Sequence, residues 1–253
     1  NTDAMLAAAG ASRQRGADLI VFPELAVPGY PIGDAWERPA FLRECAACGE
    51  RLRAASSGLT IVFGNVATDN RRRNEDGRVR KYNALFVARD GRFLGPRRGP
   101  YPFVVKALLP NYRLFDDARH FYDLRRLAAE EGVAPEALLA PVDAGGLALG
   151  CTLCEDAWDA DYALSPLSLI GRDRLDLAIT ISCSPYTRDK PLKRHRVFSA
   201  QADRLKTPLA AVNAVGLQNN GKTVYTFDGG SCVYFPGGMV AAIPGRFQPG
   251  ALD

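Results

Sequence analysis

The sequence predicts a layered α/β fold, and three observations carry that prediction. Short apolar runs bounded by Gly, Pro or polar residues recur along the chain and read as strands. Longer segments with apolar residues spaced near 3.6 read as helices. Strands and helices alternate early and late with hairpin-like pairs between, which favours sheets covered by helices over an all-β fold.

The first helical segment spans residues 2–15. It is entered through Asn1-Thr2-Asp3, whose short polar side chains suit a helix N-cap. An α/β domain ordinarily feeds its first helix from a strand, so a preceding N-terminal strand is expected to be missing from this sequence. Strands are expected at 18–22, 60–66, 83–87, 147–153, 175–182, 209–215 and 231–235. Residues 240–243 follow as a hairpin partner across Pro236-Gly237-Gly238. Further helices are expected at 38–55, 161–171 and 191–206. The first of these gathers Phe41, Leu42, Cys45, Cys48 and Leu52 on one side, and Pro191 suits the first turn of the last, where its missing N–H costs nothing. No repeat, low-complexity tract or linker interrupts the chain, so residues 1–253 are read as one domain.

Composition narrows the function classes. With 253 residues and 47% hydrophobic content the chain can bury a sizeable core. A net charge of +4 is mild, and the basic clusters Arg71-Arg72-Arg73 and Arg97-Arg98 are short and set among polar or turn-forming residues. They read as solvated loops, not as the concentrated basic face of a nucleic-acid binder. No apolar run approaches the ~20 residues that span a bilayer, and no basic-then-apolar leader opens the chain. A cytoplasmic protein with no membrane partner is the expectation.

Six cysteines in a chain of this size do not form a disulfide framework. Two pairs have C-x-x-C spacing, Cys45/Cys48 and Cys151/Cys154. Residues three apart point to opposite faces of a strand, so Cys151 and Cys154 cannot share a metal without a turn between them. Cys45 and Cys48 share a helix face, where they serve as small core residues. No metal site is expected, and with only two histidines, His120 and His195, a Ser-His-Asp triad is poorly supplied.

Cys154 stands out instead. It follows the apolar run Gly146-Leu147-Ala148-Leu149-Gly150 at a strand end and is followed by Glu155-Asp156-Ala157-Trp158. A thiol is a nucleophile only as the thiolate, so a nearby base or cation is required. Glu24 offers a carboxylate just past the strand at 18–22, where α/β folds place their sites. Lys106, after Phe103-Val104-Val105, is either a snorkelling surface lysine or, near a thiolate, a stabiliser of the oxyanion on an attacked carbonyl. A carboxylate, an ammonium and a thiol together can hydrolyse a carbon–nitrogen bond through a thioester.

On these motifs the chain resembles the nitrilase, or carbon–nitrogen hydrolase, superfamily, and most specifically the glutamine amidotransferase domain of glutamine-dependent NAD+ synthetases. The matching stretches are Gly16 through Leu25 with Gly29-Tyr30-Pro31, Lys106 through Tyr112 with Phe115-Asp116, and Cys154-Glu155-Asp156-Ala157-Trp158. Ser182-Cys183-Ser184-Pro185-Tyr186 with Lys190, Val212 through Gly216, and Phe227-Asp228-Gly229-Gly230-Ser231 follow. The resemblance implies a four-layer α-β-β-α sandwich and a homo-oligomer. It implies Glu24 as general base, Lys106 as oxyanion stabiliser and Cys154 as nucleophile. It also implies that Tyr112, Glu155, Ser184 and Lys190 bind glutamine: the α-amino group wants a carboxylate, the α-carboxylate a cation and a hydroxyl. No cofactor is implied in this domain. The ATP and Mg of the family belong to a synthetase domain with a Ser-Gly-Gly-x-Asp-Ser phosphate loop, which this sequence does not contain. The expected partner is therefore an NAD+ synthetase domain, in cis or in trans, that consumes the ammonia. The alternative expectation is a stand-alone superfamily amidase acting on another small amide. The approach to the lysine, residues 95–105, is longer than the family pattern.

Overall fold

The computed structural model describes every residue except 114, 222, 244 and 253. Asp253, the last residue of the expected domain, therefore lies outside the described residues.

Two sheets stack face to face between helical layers. The first comprises β1 (Leu19–Val21), β2 (Thr60–Arg73), β3 (Val79–Arg89), β4 (Arg92–Leu94) and β5 (Val104–Val105). Strand β1 runs parallel to β2; β3 is antiparallel to β2 and carries both β4 and β5 along its other side. The second sheet contains β6 (Val142–Ala144), β7 (Leu147–Leu153), β8 (Leu177–Ser182) and β9 (Leu209–Asn213). The chain then forms a separate hairpin, β10 (Val215–Asn219) and β11 (Val224–Asp228), before β12 (Cys232–Tyr234) and β13 (Val240–Ala242) complete the second sheet. Its order is β13-β12-β9-β8-β7-β6, with β7, β8 and β9 mutually parallel.

Side-chain alternation explains the layering. On β2, Ile61 and Phe63 face α1 (Thr2–Gln14) and α2 (Pro39–Ala54), packing with Met5, Ala9 and Leu52. Val62 points the other way, into an interior shared with Leu85 and Val87 of β3 and with Leu149, Cys151, Leu153, Ile179 and Ile181 of the second sheet. The short helices α3 (Asp117–His120), α4 (Leu124–Glu131) and α5 (Pro135–Leu138) lie along the chain between the sheets' sequences. The outer face of the second sheet, with Ala178, Leu209 and Ala211, is covered by α6 (Pro166–Ile170) and α7 (Lys190–Leu205) through Leu167, Phe198 and Ala202. This is the α-β-β-α sandwich. Gly150 of β7 allows the close contact with α6, because a Cβ there would come within 2.7 Å of Ile170 Cγ2.

Several expectations are corrected. Arg71-Arg72-Arg73 is largely solvated as expected but is not a loop: it forms the distal end of β2, where the pairing with β3 shifts register between Asp69 and Arg73, and Arg72 reaches Glu131 at 2.5 Å. The expected helix at 161–171 shrinks to Pro166–Ile170, because Pro166 cannot donate into an earlier turn. Strands β2 and β3 run well past the expected 60–66 and 83–87. Arg97 and Arg98 do lie in a turn, paired with Asp143 and Asp173. Cys45 and Cys151 are buried in separate core clusters. No described helix is long and apolar enough to cross a membrane.

Candidate active site

Three strand ends converge at one end of the sandwich. Cys154 follows β7 directly and opens a 3-10 turn, Cys154–Ala157, with a left-handed φ of 44°. A non-glycine residue there is strained by roughly 1–3 kcal/mol, and the sharp reversal turns the thiol away from the strand and into a cleft. Lys106 follows β5, whose pairing with β3 fixes it; its N–H donates to the Asn83 carbonyl at 2.9 Å. Glu24 lies three residues beyond β1 in a turn that packs against β2 at Gly64. A Cβ at Gly64 would overlap the Leu25 nitrogen and come within 2.6 Å of Glu24 Cα, so only glycine allows this approach.

Lys106 and Glu24 meet in the core, both almost wholly buried. Lys106 Nζ donates to Glu24 Oε1 at 2.8 Å and to Asp117 Oδ2 at 2.6 Å. Asn83 Nδ2 also donates to Glu24 Oε1 at 2.8 Å, and the Cys183 N–H donates to Glu24 Oε2 at 2.8 Å. Three groups from three segments thus fix one carboxylate. Burial opposes the charge on Lys106, but Asp117 and Glu24 outweigh it and hold the ammonium well above the ordinary lysine range. Burial pushes the Cys154 thiol up, the Glu24 charge pushes it further, and Lys106 and Lys190 pull against both. The resting thiol is therefore neutral, and a reaction at sulfur needs a proton acceptor.

Asp156 ties the Cys154 turn to the segment after Lys106. Its Oδ1 accepts from the N–H groups of Ala107 (3.0 Å) and Leu108 (2.8 Å), and its Oδ2 from the Leu153 N–H at 3.0 Å. Burial raises its pKa to about 7 against the pull of these amides.

The cleft has a volume of about 800 Å³ and an open mouth. Lys106, Tyr112, Cys154, Glu155, Ser184 and Lys190 all line it. Six of the seven residues singled out in the sequence thus share one cavity, and the seventh, Glu24, is buried behind it in contact with Lys106. The Tyr112 hydroxyl reaches both oxygens of Glu155, at 2.9 and 3.1 Å. Ser184 is held by its backbone: its N–H donates to Asn213 Oδ1 at 2.9 Å, and Asn213 Nδ2 donates to its carbonyl at 3.3 Å. Lys190 begins α7, and burial lowers its ammonium pKa. A thiol, a cation and a buried carboxylate at the floor, with a carboxylate and an ammonium on the walls, can take a zwitterionic amide and attack its carbonyl.

Sequence reasoning gave no role to Asn83, Asp117 or Asp156. Asp156 stood inside the quoted Cys154 motif, whereas Asn83 and Asp117 carry no local signal, since their roles exist only across the fold.

The profile of the carbon-nitrogen hydrolase family matches residues 2–252. The chain belongs to the carbon–nitrogen hydrolase family. It is thus an enzyme domain of the hydrolase class. Among relatives of this carbon–nitrogen hydrolase, the glutamine-dependent NAD(+) synthetase of Thermotoga maritima is 34% identical over 231 residues, 90% of this chain and 34% of its own length. That of Xanthomonas campestris is 32% identical over 234 residues, 92% and 36%. The chain spans about a third of the length of these relatives. Among solved structures, glutamine-dependent NAD+ synthetase from Acinetobacter baumannii superposes with a TM-score of 0.74 at 29% identity, covering 98% of this chain and 40% of the other. An amidase from Nesterenkonia sp. gives 0.73 at 19% identity, covering 99% and 81%, a likeness of fold alone.

Proposed function

We propose that this domain hydrolyses the side-chain amide of glutamine to glutamate and ammonia, and that the ammonia feeds the synthesis of NAD+ from deamido-NAD+. The observation that carries the reading is the convergence of Cys154, Lys106 and buried Glu24 on a cleft whose walls hold Glu155, Ser184 and Lys190. A bare amidase site has no use for both a carboxylate and an ammonium beside the nucleophile; an α-amino acid uses both. The NAD(+) synthetases among the relatives support the same substrate.

In this mechanism Glu24 takes the Cys154 proton and the thiolate attacks the amide carbon. Lys106 stabilises the oxyanion. Glu24 returns its proton to the departing nitrogen, the C–N bond breaks, and ammonia leaves a thioester on Cys154. Water gives a proton to Glu24 and its oxygen attacks the thioester carbon; the C–S bond breaks to release glutamate, and Glu24 returns the proton to the departing sulfur, restoring the thiol. Tyr112 and Glu155 receive the α-ammonium, and Ser184 and Lys190 the α-carboxylate. The domain itself takes no cofactor; ATP and Mg serve a synthetase domain acting in cis or in trans. Assembly as a cytoplasmic homo-oligomer belongs to the same proposal.

Ammonia release from glutamine tests it. Cys154→Ala should abolish release with the fold unchanged by circular dichroism, and undiminished release would overturn the assignment. The second reading, a general small-amide amidase, predicts equal turnover of glutamine and propionamide.

A further inference from the structure

Glu155 is held by two phenols that arrive from different parts of the chain. Besides Tyr112, the Tyr162 hydroxyl donates to Glu155 Oε1 at 2.8 Å. The two anchors differ in their surroundings. Tyr112 is 45% exposed. Tyr162 follows the 3-10 turn Asp159–Asp161, and its N–H donates to the carbonyl of Asp159, a buried residue whose carboxylate receives Gln201 Nε2 at 3.3 Å. Tyr162 also lines the cleft. Burial and the bond to Glu155 raise its phenol above the ordinary tyrosine range, so it stays a neutral donor at working pH.

We infer that Tyr162 is a positioning residue for substrate selection: it pins Oε1 of Glu155 and leaves Oε2, which among the described residues is met only by the half-exposed Tyr112 hydroxyl at 3.1 Å, for a substrate ammonium. Among the described residues the hydrogen-bond partners of this nearly buried carboxylate are neutral hydroxyls, so its charge favours a cation in the cleft. Amides with an α-ammonium gain from that arrangement and simple amides do not. The inference rests on the glutamine reading and adds the residue that enforces it.

The test measures ammonia release from glutamine and from propionamide by the intact protein and by Tyr162→Phe, which keeps the ring and its packing. The KM for glutamine should rise about tenfold, the loss expected for one hydrogen bond to a charged group, with kcat within about twofold. Propionamide turnover should be unmoved. In a Glu155→Gln background, Tyr162→Phe should leave the ratio of the two substrates unchanged, because the effect passes through the carboxylate. Equal losses on both substrates, an unchanged glutamine KM, or a full additional loss in the Glu155→Gln background would each overturn the inference. A wild-type protein that does not prefer glutamine would instead overturn the glutamine reading beneath it.

Discussion

The Asp117 carboxylate lies 2.6 Å from the Lys106 ammonium, in a part of the core where both side chains are buried. Lys106 therefore does not depend on Glu24 alone for its counter-charge. Asp117 in turn accepts from the Tyr30 hydroxyl, so a second buried network stands behind the lysine. With Asp117 sharing the ammonium, Glu24 keeps lone-pair capacity for a proton.

Asp117→Asn should expose the value of that sharing. Removing one charge of a buried cluster costs about 3–5 kcal/mol of stability, which thermal unfolding would register. Glu24 would become the sole counter-ion of Lys106 and a poorer proton acceptor. We expect kcat for ammonia release to fall about tenfold or more, within the range that general-base catalysis contributes. A variant that melts earlier but turns over at the wild-type rate would contradict this division of charge.

Gly64→Ala should disable the site more than its single methyl suggests. The added Cβ must displace the Glu24–Leu25 backbone, and overpacking of this kind costs about 1–3 kcal/mol. Because the displaced atoms carry Glu24, turnover should drop further than stability does. Gly10, inside α1 with no atom within 4 Å of its missing Cβ, is the matched control. Gly10→Ala should stabilise by about 0.5–1 kcal/mol and leave turnover alone. Parallel melting curves and rates for the two variants decide the matter.

The alkaline limb of the pH profile should report Lys190. Burial lowers its ammonium pKa, so the charge is lost at a lower pH than for an exposed lysine. The KM for glutamine should climb as pH rises through that lowered value, while Lys190→Arg, which keeps its charge throughout, should flatten the climb. The α-amino group of glutamine titrates equally in both proteins, so the difference between their profiles isolates the side chain. Coincident profiles would remove Lys190 from carboxylate recognition.

Cys45→Ala should separate packing from chemistry. Cys45 is buried against Leu42 and Trp36 in the core under α2, and its loss should cost about 1 kcal/mol of stability at unchanged turnover. A loss of activity comparable to that of Cys154→Ala would restore a metal or redox role to the C-x-x-C pair.

The sandwich and its site were legible in the sequence to different depths. Buried central strands such as Leu147–Leu153 and Leu209–Asn213 announce themselves as apolar runs, because both faces are covered. The far half of β2, Thr68 to Arg73, is polar because it stands in solvent as a hairpin arm, and no hydrophobic period marks it. Strand β5 is two residues long and exists only through its pairing with Ala84 and Leu85. In the β10–β11 hairpin, strand β10 buries no side chain fully and leaves Leu217 exposed, so it lacks the inward alternation that identifies a strand. At the site, Cys154, Glu24 and Lys106 were legible because each ends an apolar run and each supplies a group that acyl transfer needs. Asn83 and Asp117 were not, because a buried Asn in a strand and an Asp in a short helix look ordinary until the fold brings them to Glu24 and Lys106.

Asp156, just past β7, bonds to both sheets: two of its three bonds cross between them and the third returns to β7. Ala107 and Leu108 continue from β5 of the first sheet, and Leu153 ends β7 of the second. One carboxylate therefore rivets the Lys106 side of the cleft to the Cys154 side, and neither can drift while the sheets stay packed. Heat should accordingly inactivate this domain in a single cooperative step that coincides with melting of the intersheet core, with no warm, folded but inactive form preceding it.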